Sequence, residues 1–232
     1  MAEKSEKAYE KVIEHIKSEI WQGTLKQGER LPPERELAES LGVSRNSVRE
    51  AIRTLTLLGF VSSTQGAGNF VTCDIEQNLR ESLRMMMLLG ETNYLQISQL
   101  RCGLEIENAR LAATRILPRQ AVRLQELAKL MREETDSQKA SRYDQEFHLL
   151  LCEASGNRLI KSLFSAMLST INDFISTMYS RVVEDSDQAE ALHTVHQQLA
   201  DALTAHDADA ASRAMVTHFE IVDASIRQKK PM

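Results

Sequence analysis

Two potential metal ligands lie four positions apart in the second half of the sequence. If this segment is helical, Asp144 and His148 lie one turn apart on the same helix face. A carboxylate oxygen and a neutral imidazole nitrogen are both common ligands of divalent transition metals. The pair therefore indicates half of a metal site, and the remaining ligands must come from other parts of the chain.

Two further histidines fall on apolar stripes of helical segments near the C-terminus. His196 lies one turn after Leu192, and His218 lies about one turn after Met215. The two segments should pair antiparallel around a bend near residues 206–207. At ~1.5 Å per residue over about eleven residues, both imidazoles lie ~16 Å from that bend and therefore face each other.

We predict that one carboxylate and three imidazoles converge on a divalent metal ion. They are Asp144, His148, His196 and His218. Zinc is the first expectation, with nickel or manganese as alternatives, and positions remain for water or a ligand oxygen. A single inward histidine is more often a core residue, but four such groups buried without partners would be costly. We expect His193 and His206 to be more solvated, since one shares a face with polar residues and the other lies at the bend.

A second group of residues suits recognition of DNA. The turn Leu41-Gly42-Val43-Ser44 separates two helical segments by about four residues, which is typical of a helix-turn-helix. The second helix begins with side chains that can bond base edges: Ser44, Arg45, Asn46, Ser47 and Arg49. Arginine can bond O6 and N7 of guanine together, and asparagine can do the same for adenine. An ordinary solvated helix surface is the alternative, and the combined pattern favours DNA.

Composition and charge indicate a helical, reduced and cytoplasmic protein. The 232 residues are 42% hydrophobic and only 5% aromatic, and no segment reaches the ~20 apolar residues of a membrane span. The three cysteines, Cys73, Cys102 and Cys152, are too scattered for a disulfide framework or a paired-cysteine metal site. The net charge of -5 lies entirely after residue 72, because residues 1–72 hold ten basic and ten acidic side chains. A locally basic face for DNA is therefore compatible with an acidic chain.

The predicted elements form a mainly α protein with one β-hairpin. Strands are predicted over 60–63 and 69–72 around Gln65-Gly66-Ala67-Gly68. Helices are predicted over 6–22, 33–41, 44–58, 75–89, 93–116, 118–135, 138–154, 158–182, 187–205 and 208–228. We expect a winged helix-turn-helix of three helices and a hairpin in 1–72, a linker or first helix in 73–92, and an all-α antiparallel bundle in 93–232.

The N-terminal part resembles the DNA-binding domain of the GntR superfamily of bacterial regulators. The resemblance covers residues 10–72 and is carried by LPPERELAESLGVSRNSVREAIRTLTLLGFVSSTQGAGNFV. It implies that Arg35, Arg45 and Arg49 contact DNA. It also implies that Gly66 is the glycine of the wing and that the start of the DNA-contacting helix is formed by Ser44, Asn46 and Ser47.

The C-terminal part resembles the FCD effector domain of the FadR subgroup. The matching strings are LRCGLEIENARLAA, YDQEFHLLLCEASGN and VHQQLADALTAHDADAASRAMVTH, within residues 93–222. In metal-containing members, the ligands correspond to the four residues identified above. The resemblance also implies that Arg101 helps to bind a carboxylate effector, although an ion pair with Glu105 is an equal alternative. Asn157 matches a Gly-Asn turn of the family and is a second effector candidate, or else a structural turn residue. The usual Gly-Asp before the last helix is His206-Asp207 here.

These expectations combine into a ligand-controlled transcription regulator without enzymatic activity. Two chains would pair as a homodimer on a short inverted repeat of double-stranded DNA. Similar proteins respond to small carboxylates such as lactate, glycolate, pyruvate or a sugar acid, and repression with release by the ligand is the commoner outcome among them.

Two alternatives remain open at this level. One is a metal-dependent hydrolase or lyase fused to a DNA-binding domain, because zinc with an open position can activate water. No clear general base accompanies the ligands, since Glu146 lies on another helix face and Glu105 is speculative. The other is a metal-free regulator that responds to acyl-CoA, against which the four inward ligands argue.

Overall fold

The computed structural model describes the backbone of residues 2–228 and the side chains of residues 8–74, 76–172 and 174–225. Its elements in chain order are α1 (Ala2–Gln22), α2 (Glu34–Leu41), α3 (Arg45–Leu57), β1 (Val61–Thr64), β2 (Gly68–Val71), α4 (Ile75–Leu88), α5 (Tyr94–Arg115), α6 (Pro118–Glu133), α7 (Ser137–Ser155), α8 (Arg158–Val183), α9 (Ser186–Thr204) and α10 (Ala208–Gln228). The predicted mainly α architecture with one hairpin is confirmed. The described chain divides between Glu81 and Ser82 into two compact units.

The N-terminal unit is built around a tight turn between α2 and α3. Gly42 ends α2 with φ 64° in the left-handed region, and Ser44 caps α3 by accepting a hydrogen bond from the Ser47 amide. The apolar faces of α1, α2 and α3 meet in one core that includes Val12, Leu37 and Leu55. Helix α3 therefore has one face buried in this core and the opposite face exposed to solvent.

The hairpin follows α3 directly and forms the wing. Its antiparallel strands pair Val61 with Val71 and Ser62 with Phe70. The strands begin and end within one residue of their predicted bounds. Val61 and Val71 are buried, so the base of the hairpin belongs to the same core as the three helices.

The C-terminal unit is a bundle whose central helix is α5. Helix α5 packs against α7 and α10, α10 pairs with α9, and α6 packs against α7 and α9. The apolar stripes of these helices form a continuous core with fully buried Leu124, Phe147, Leu199 and Met215. The bundle thereby brings one face of α5, α7, α9 and α10 together.

Two local departures from regular helix structure occur in this bundle. Helix α8 bends at Ile171, where φ -114° and ψ 17° leave the helical region. At the bend between α9 and α10, His206 takes φ 57°, a left-handed conformation that normally favours glycine. The His206 ring lies with Nδ1 2.7 Å from the Ala113 carbonyl oxygen. Because a carbonyl only accepts, Nδ1 carries the hydrogen of this bond.

Among the described helices, none is both long and apolar enough to cross a lipid bilayer.

Candidate functional site

The four predicted metal ligands lie together inside the C-terminal bundle. Asp144 and His148 come from α7, His196 from α9 and His218 from α10. One potential ligand atom from each residue lies within 4.8 Å of every other, and all four residues are buried. The i, i+4 spacing on α7 and the antiparallel pairing of α9 and α10 bring about this convergence.

The orientation of His196 is set by its own helix. Its Nδ1 lies 2.9 Å from the Leu192 carbonyl oxygen and must carry the hydrogen, since the carbonyl can only accept. The other ring nitrogen, Nε2, lies 3.1 Å from Asp144 Oδ1. Phe147 packs edge-on against the ring, with centroids 5.2 Å apart. The Leu192 carbonyl and Phe147 therefore hold this ring with Nε2 towards the cluster.

Several buried nitrogens of the cluster have no hydrogen-bond partner within the described part of the chain. They are Nε2 of His148, Nε2 of His196 and both ring nitrogens of His218. Buried polar atoms are normally paired, because leaving them unpaired costs free energy. A divalent cation would satisfy one nitrogen of each ring together with the Asp144 carboxylate. The donor set of three imidazoles and one carboxylate thus fits a zinc-like ion.

Glu105 of α5 connects this cluster to Arg101. Its Oε2 contacts His148 Nδ1, and its Oε1 accepts hydrogen bonds from Arg101 Nε and Nη2 at 3.1 and 2.8 Å. Glu105 is fully buried. A carboxylate behind a ligating histidine fixes the ring and raises its basicity. The sequence offered Glu105 as a partner of Arg101 and as a speculative general base, but not as a partner of His148; its spacing from Arg101 on an inward helix face was the available signal.

The carboxylates around His148 change its proton affinity. Burial opposes the charged imidazole, but Glu105 and Asp144 outweigh it and raise the pKa of His148 to about 9. Burial would raise the pKa of both carboxyl groups, yet the neighbouring histidine lowers the pKa of Glu105 and holds that of Asp144 well below its usual value.

The pKa of His218 is shifted in the opposite direction from that of His148. Burial lowers its pKa well below the usual value, and the nearby rings of His196 and His148 add to this effect. His218 is therefore neutral and has a free lone pair, the form that binds a metal ion.

A cavity opens beside the cluster. Asp144 and His218 contribute to its wall, and so does Arg101, whose side chain is almost fully buried. Arg101 Nη1 makes no hydrogen bond within the described residues, and the guanidinium also lies 5.5 Å from the ring centroids of Phe164 and Phe219. The structure shows the ion pair with Glu105 that the sequence allowed, and it places Arg101 in the cavity wall; an effector contact by Arg101 stays a prediction.

Asn157 lies elsewhere. It caps α8, with its side chain accepting a hydrogen bond from the Ile160 amide at 3.2 Å, and it does not line this cavity. The geometry favours the structural turn role over an effector contact. His193 is half-buried and outside the four-residue cluster, and His206 is exposed at the bend, as expected.

The predicted DNA-contacting arginines lie on the solvent side of the N-terminal unit. Arg45 and Asn46 are exposed at the start of α3. Arg49 reaches Glu34 at 3.4 Å and stays half exposed, while the largely exposed Arg35 pairs with Glu39 on α2. Exposed ion pairs of this kind contribute little and can be exchanged for phosphate contacts.

The serines at the start of α3 have different surroundings. Ser44 is exposed and caps the helix, whereas Ser47 is buried, with its hydroxyl 2.9 Å from that of Ser44. The Ser47 hydroxyl is therefore engaged by its neighbour at the start of α3, and a DNA contact by Ser47 stays a prediction. Gly66 lies in the turn of the wing with φ 79°, which allows close backbone approach to a ligand.

Comparison with known families identifies the class of protein. Residues 8–71 match the family described as bacterial regulatory proteins, gntR family, and residues 96–221 match the FCD domain. The chain therefore belongs to the gntR family of bacterial regulatory proteins, in the group that carries an FCD domain.

Individual relatives agree with this assignment. The chain is 31% identical to the HTH-type transcriptional regulator LutR of Bacillus subtilis, over 88% of this chain and 94% of that one. It is 34% identical to the Uxu operon transcriptional regulator of Escherichia coli, over 95% of this chain and 87% of that one. A solved structure named Streptococcus agalactiae GntR matches with a TM-score of 0.65 and 27% identity, over 95% and 99% of the two chains. The protein is a DNA-binding transcriptional regulator, and these relatives are named as regulators rather than enzymes.

Proposed function

We propose that a small carboxylate, bound at a divalent metal ion in the FCD domain, controls the affinity of this regulator for its operator. The observation that carries the proposal is the buried cluster of three imidazoles and one carboxylate beside a cavity that also contains Arg101. A buried cluster of this kind carries a desolvation cost that apolar side chains in the same bundle would not. It would destabilise the fold unless an ion or protons compensated it.

The metal would be held by Asp144, His148, His196 and His218. When bound, a divalent ion supplies concentrated positive charge that attracts carboxylate oxygens. The surrounding protein orients the ligands, since the Leu192 carbonyl fixes the tautomer of one imidazole. Zinc is the first candidate from the donor types, with nickel and manganese as alternatives.

Arg101 would direct the carboxylate towards the cluster. Its Nε and Nη2 are occupied by Glu105, which holds the guanidinium in place. Nη1 is left to donate to an oxygen of the ligand, and charge-assisted hydrogen bonds of this kind are strong in a buried setting. The ion pair thus serves as the support for a binding residue.

The DNA-binding part of the proposal concerns residues 1–72. Helix α3 would enter the major groove, with Arg45, Asn46 and Arg49 towards the bases and Arg35 and Gly66 towards the backbone or minor groove. Two chains would form a homodimer on an inverted repeat whose half-sites are about one helical turn apart. We assign effector binding to 93–232 and the connection to 73–92, and we expect a repressor that the acid releases from DNA.

The test is metal analysis of the purified protein and of two ligand variants. We expect about one divalent ion per chain in the parent protein, and its loss in His148→Ala and His196→Ala. The matched control is His193→Ala, which lies three residues before a ligand but outside the cluster; it should keep the ion. Circular dichroism checks that each variant is folded. Absence of metal from the parent protein, even after incubation with zinc, nickel or manganese, would contradict the proposal and favour a metal-free sensor.

A further inference from the structure

The cavity beside the metal cluster has a volume of about 40 Å³ and is lined by five polar and eight apolar residues. The polar groups are those of Ser98, Arg101, Asp144, Tyr179 and His218. The wall consists of aliphatic, aromatic and methionine side chains, mostly from α8 after its bend: Ile171, Phe174, Ile175, Met178, Val182, Leu192, Phe219 and Val222. A ligand larger than a few water molecules must therefore push the lining side chains apart, and most of the lining that it then contacts is hydrocarbon.

Tyr179 has an unused hydroxyl at this site. The residue is 5% exposed, it lines the cavity, and its oxygen has no hydrogen-bond partner within the described part of the chain. Ser98 differs, because its hydroxyl already donates to Asp223 at 3.2 Å. A buried hydroxyl without a partner is rare in folded proteins and indicates a missing water, ion or ligand. Tyr179 therefore offers one donor and an acceptor to an occupant of the cavity.

The charges around the cavity define the charge of that occupant. Arg101 and Glu105 form an ion pair, so their two charges cancel. With a divalent ion bound to neutral imidazoles and to the Asp144 carboxylate, the site keeps one net positive charge. A single carboxylate neutralises that charge, whereas a second carboxylate would have to be buried in the apolar part of the cavity without a partner.

We infer, on the basis of the proposed function, that the effector is a monocarboxylic acid with a hydrocarbon tail and not a polyhydroxylated acid. Its polar end lies among the metal, Arg101 and the Tyr179 hydroxyl, and its alkyl or aromatic tail packs against the wall of α8. The hydroxyl groups of a sugar acid would lose water along this wall without gaining partners, and each hydroxyl buried in this way costs binding free energy.

Two acids of equal carbon number test the inference. Both 2-hydroxy-4-methylpentanoate and gluconate have six carbons, one carboxylate and a 2-hydroxyl, and they differ in the tail. We expect isothermal titration calorimetry on the zinc-loaded full chain to show at least about tenfold tighter binding of 2-hydroxy-4-methylpentanoate. Lactate, with the same polar end and almost no tail, should bind more weakly than the branched acid.

The outcomes separate this inference from the proposed function. Equal or tighter binding of gluconate contradicts the inferred hydrocarbon tail of the effector, but it agrees with the proposed binding of a carboxylate at the metal ion. If none of the three acids binds to zinc-loaded protein, both the proposed function and the inference that rests on it are contradicted.

Substitutions on the two sides of the cavity give a second, independent test. Val182→Thr keeps the shape and adds a hydroxyl to the wall. It should weaken binding of the branched acid by about tenfold and leave that of lactate unchanged. Val12→Thr, in an equally buried helical position of the N-terminal unit, is the matched control. Equal affinity of Val182→Thr and the parent protein for the branched acid contradicts the assigned wall.

Tyr179→Phe tests the polar end. It should weaken binding of both lactate and the branched acid by about tenfold, while the zinc content stays at the parent level. Tyr94→Phe is the control, because Tyr94 is half exposed and stacks on Phe174 through its ring, not its hydroxyl. Unchanged affinities in Tyr179→Phe would remove this hydroxyl from the site.

Discussion

At the scale of single residues, the histidines of the cluster differ in how the protein holds them. Nδ1 of His196 donates to the Leu192 carbonyl oxygen, and Nδ1 of His148 contacts the Glu105 carboxylate. The Nε2 atom of each ring therefore faces the cluster. Neither nitrogen of His218 has a partner within the described residues. Two rings are thus oriented by polar contacts, whereas the His218 ring is held by packing, with its centroid 5.2 Å from that of Phe219.

Glu105 provides a test of how much this orientation matters. Replacing it by glutamine keeps the shape but removes the charge that supports both His148 and Arg101. We expect Glu105→Gln to lower metal affinity by roughly 10–100-fold, the usual effect of losing a partner behind a ligand. Competition with a chromogenic chelator measures the affinity.

The control for this variant lies on the same helix. Glu107→Gln removes an equal charge from an exposed pair with Arg110, away from the cluster, and should leave metal affinity unchanged. Parent-like affinity in Glu105→Gln would show that the contact with His148 does not support the metal.

Arg45 is the corresponding test residue of the DNA-binding unit. It is exposed at the start of α3, where a side chain can reach base edges. Arg45→Ala should weaken operator binding by about 1–3 kcal/mol and reduce the preference for operator over scrambled DNA, because a bidentate base contact is lost. Fluorescence anisotropy with both duplexes measures the two affinities. Arg119→Ala, an exposed arginine of the other unit, is the charge-matched control; an equal effect of both variants would argue against base contact by Arg45.

At the scale of elements, the turn between α2 and α3 depends on backbone conformation more than on packing. Gly42 has φ 64°, and a Cβ added there would meet no atom within 4 Å. The requirement for glycine is therefore conformational, since L side chains disfavour this region by about 1–2 kcal/mol. The same left-handed conformation recurs at His206, where a hydrogen bond from the ring to the Ala113 carbonyl offsets part of the cost.

A pair of glycine substitutions separates these effects. Gly42→Ala should lower the free energy of unfolding by about 1 kcal/mol, because the new Cβ strains a left-handed residue. Gly103→Ala should raise it by up to about 1 kcal/mol, since Gly103 lies inside α5 with open space around it. Urea unfolding followed by circular dichroism gives both values. Effects of the same sign in the two variants would contradict the conformational explanation.

At the scale of the whole molecule, the proposed regulation is a coupling between two binding equilibria. An acid changes DNA affinity only by the factor by which it binds the DNA-free and DNA-bound forms differently. Linkage requires that operator DNA weaken acid binding by that same factor. Both sides of this relation are measurable, so the proposal can be checked from either ligand.

We expect 2-hydroxy-4-methylpentanoate to weaken operator binding by about 5–150-fold in zinc-loaded protein, the usual range of allosteric coupling. Removal of the ion with a chelator should abolish the effect, because the acid then loses its binding site. Anisotropy titrations with and without acid, before and after chelation, provide the measurement. An acid effect that persists in verified metal-free protein would show that the metal is not part of the control.

Features that depend on local periodicity follow directly from the order of the amino acids. Apolar stripes, glycine and serine caps and a β-prone pair of segments predict the helices and the hairpin to within a few residues, because hydrogen bonding in these elements is local. The four candidate metal ligands were also predictable, since i, i+4 spacing joins Asp144 to His148 and antiparallel pairing brings His196 and His218 together. The family resemblance agreed with the same four residues.

The side chains that surround the candidate ligands could not be placed before the helices were packed together. Glu105 contacts His148 and Tyr179 lines the cavity because helices distant in sequence cross at particular rotations, which spacing within one helix does not specify. The same applies to the bend of α8 at Ile171, which lies in the cavity wall. Asn157 caps α8 and is not among the residues that line this cavity, which agrees with the structural turn role that the sequence also allowed. A side chain's partner across helices depends on crossing angle, register and rotamer together, and these are settled only when the whole core packs.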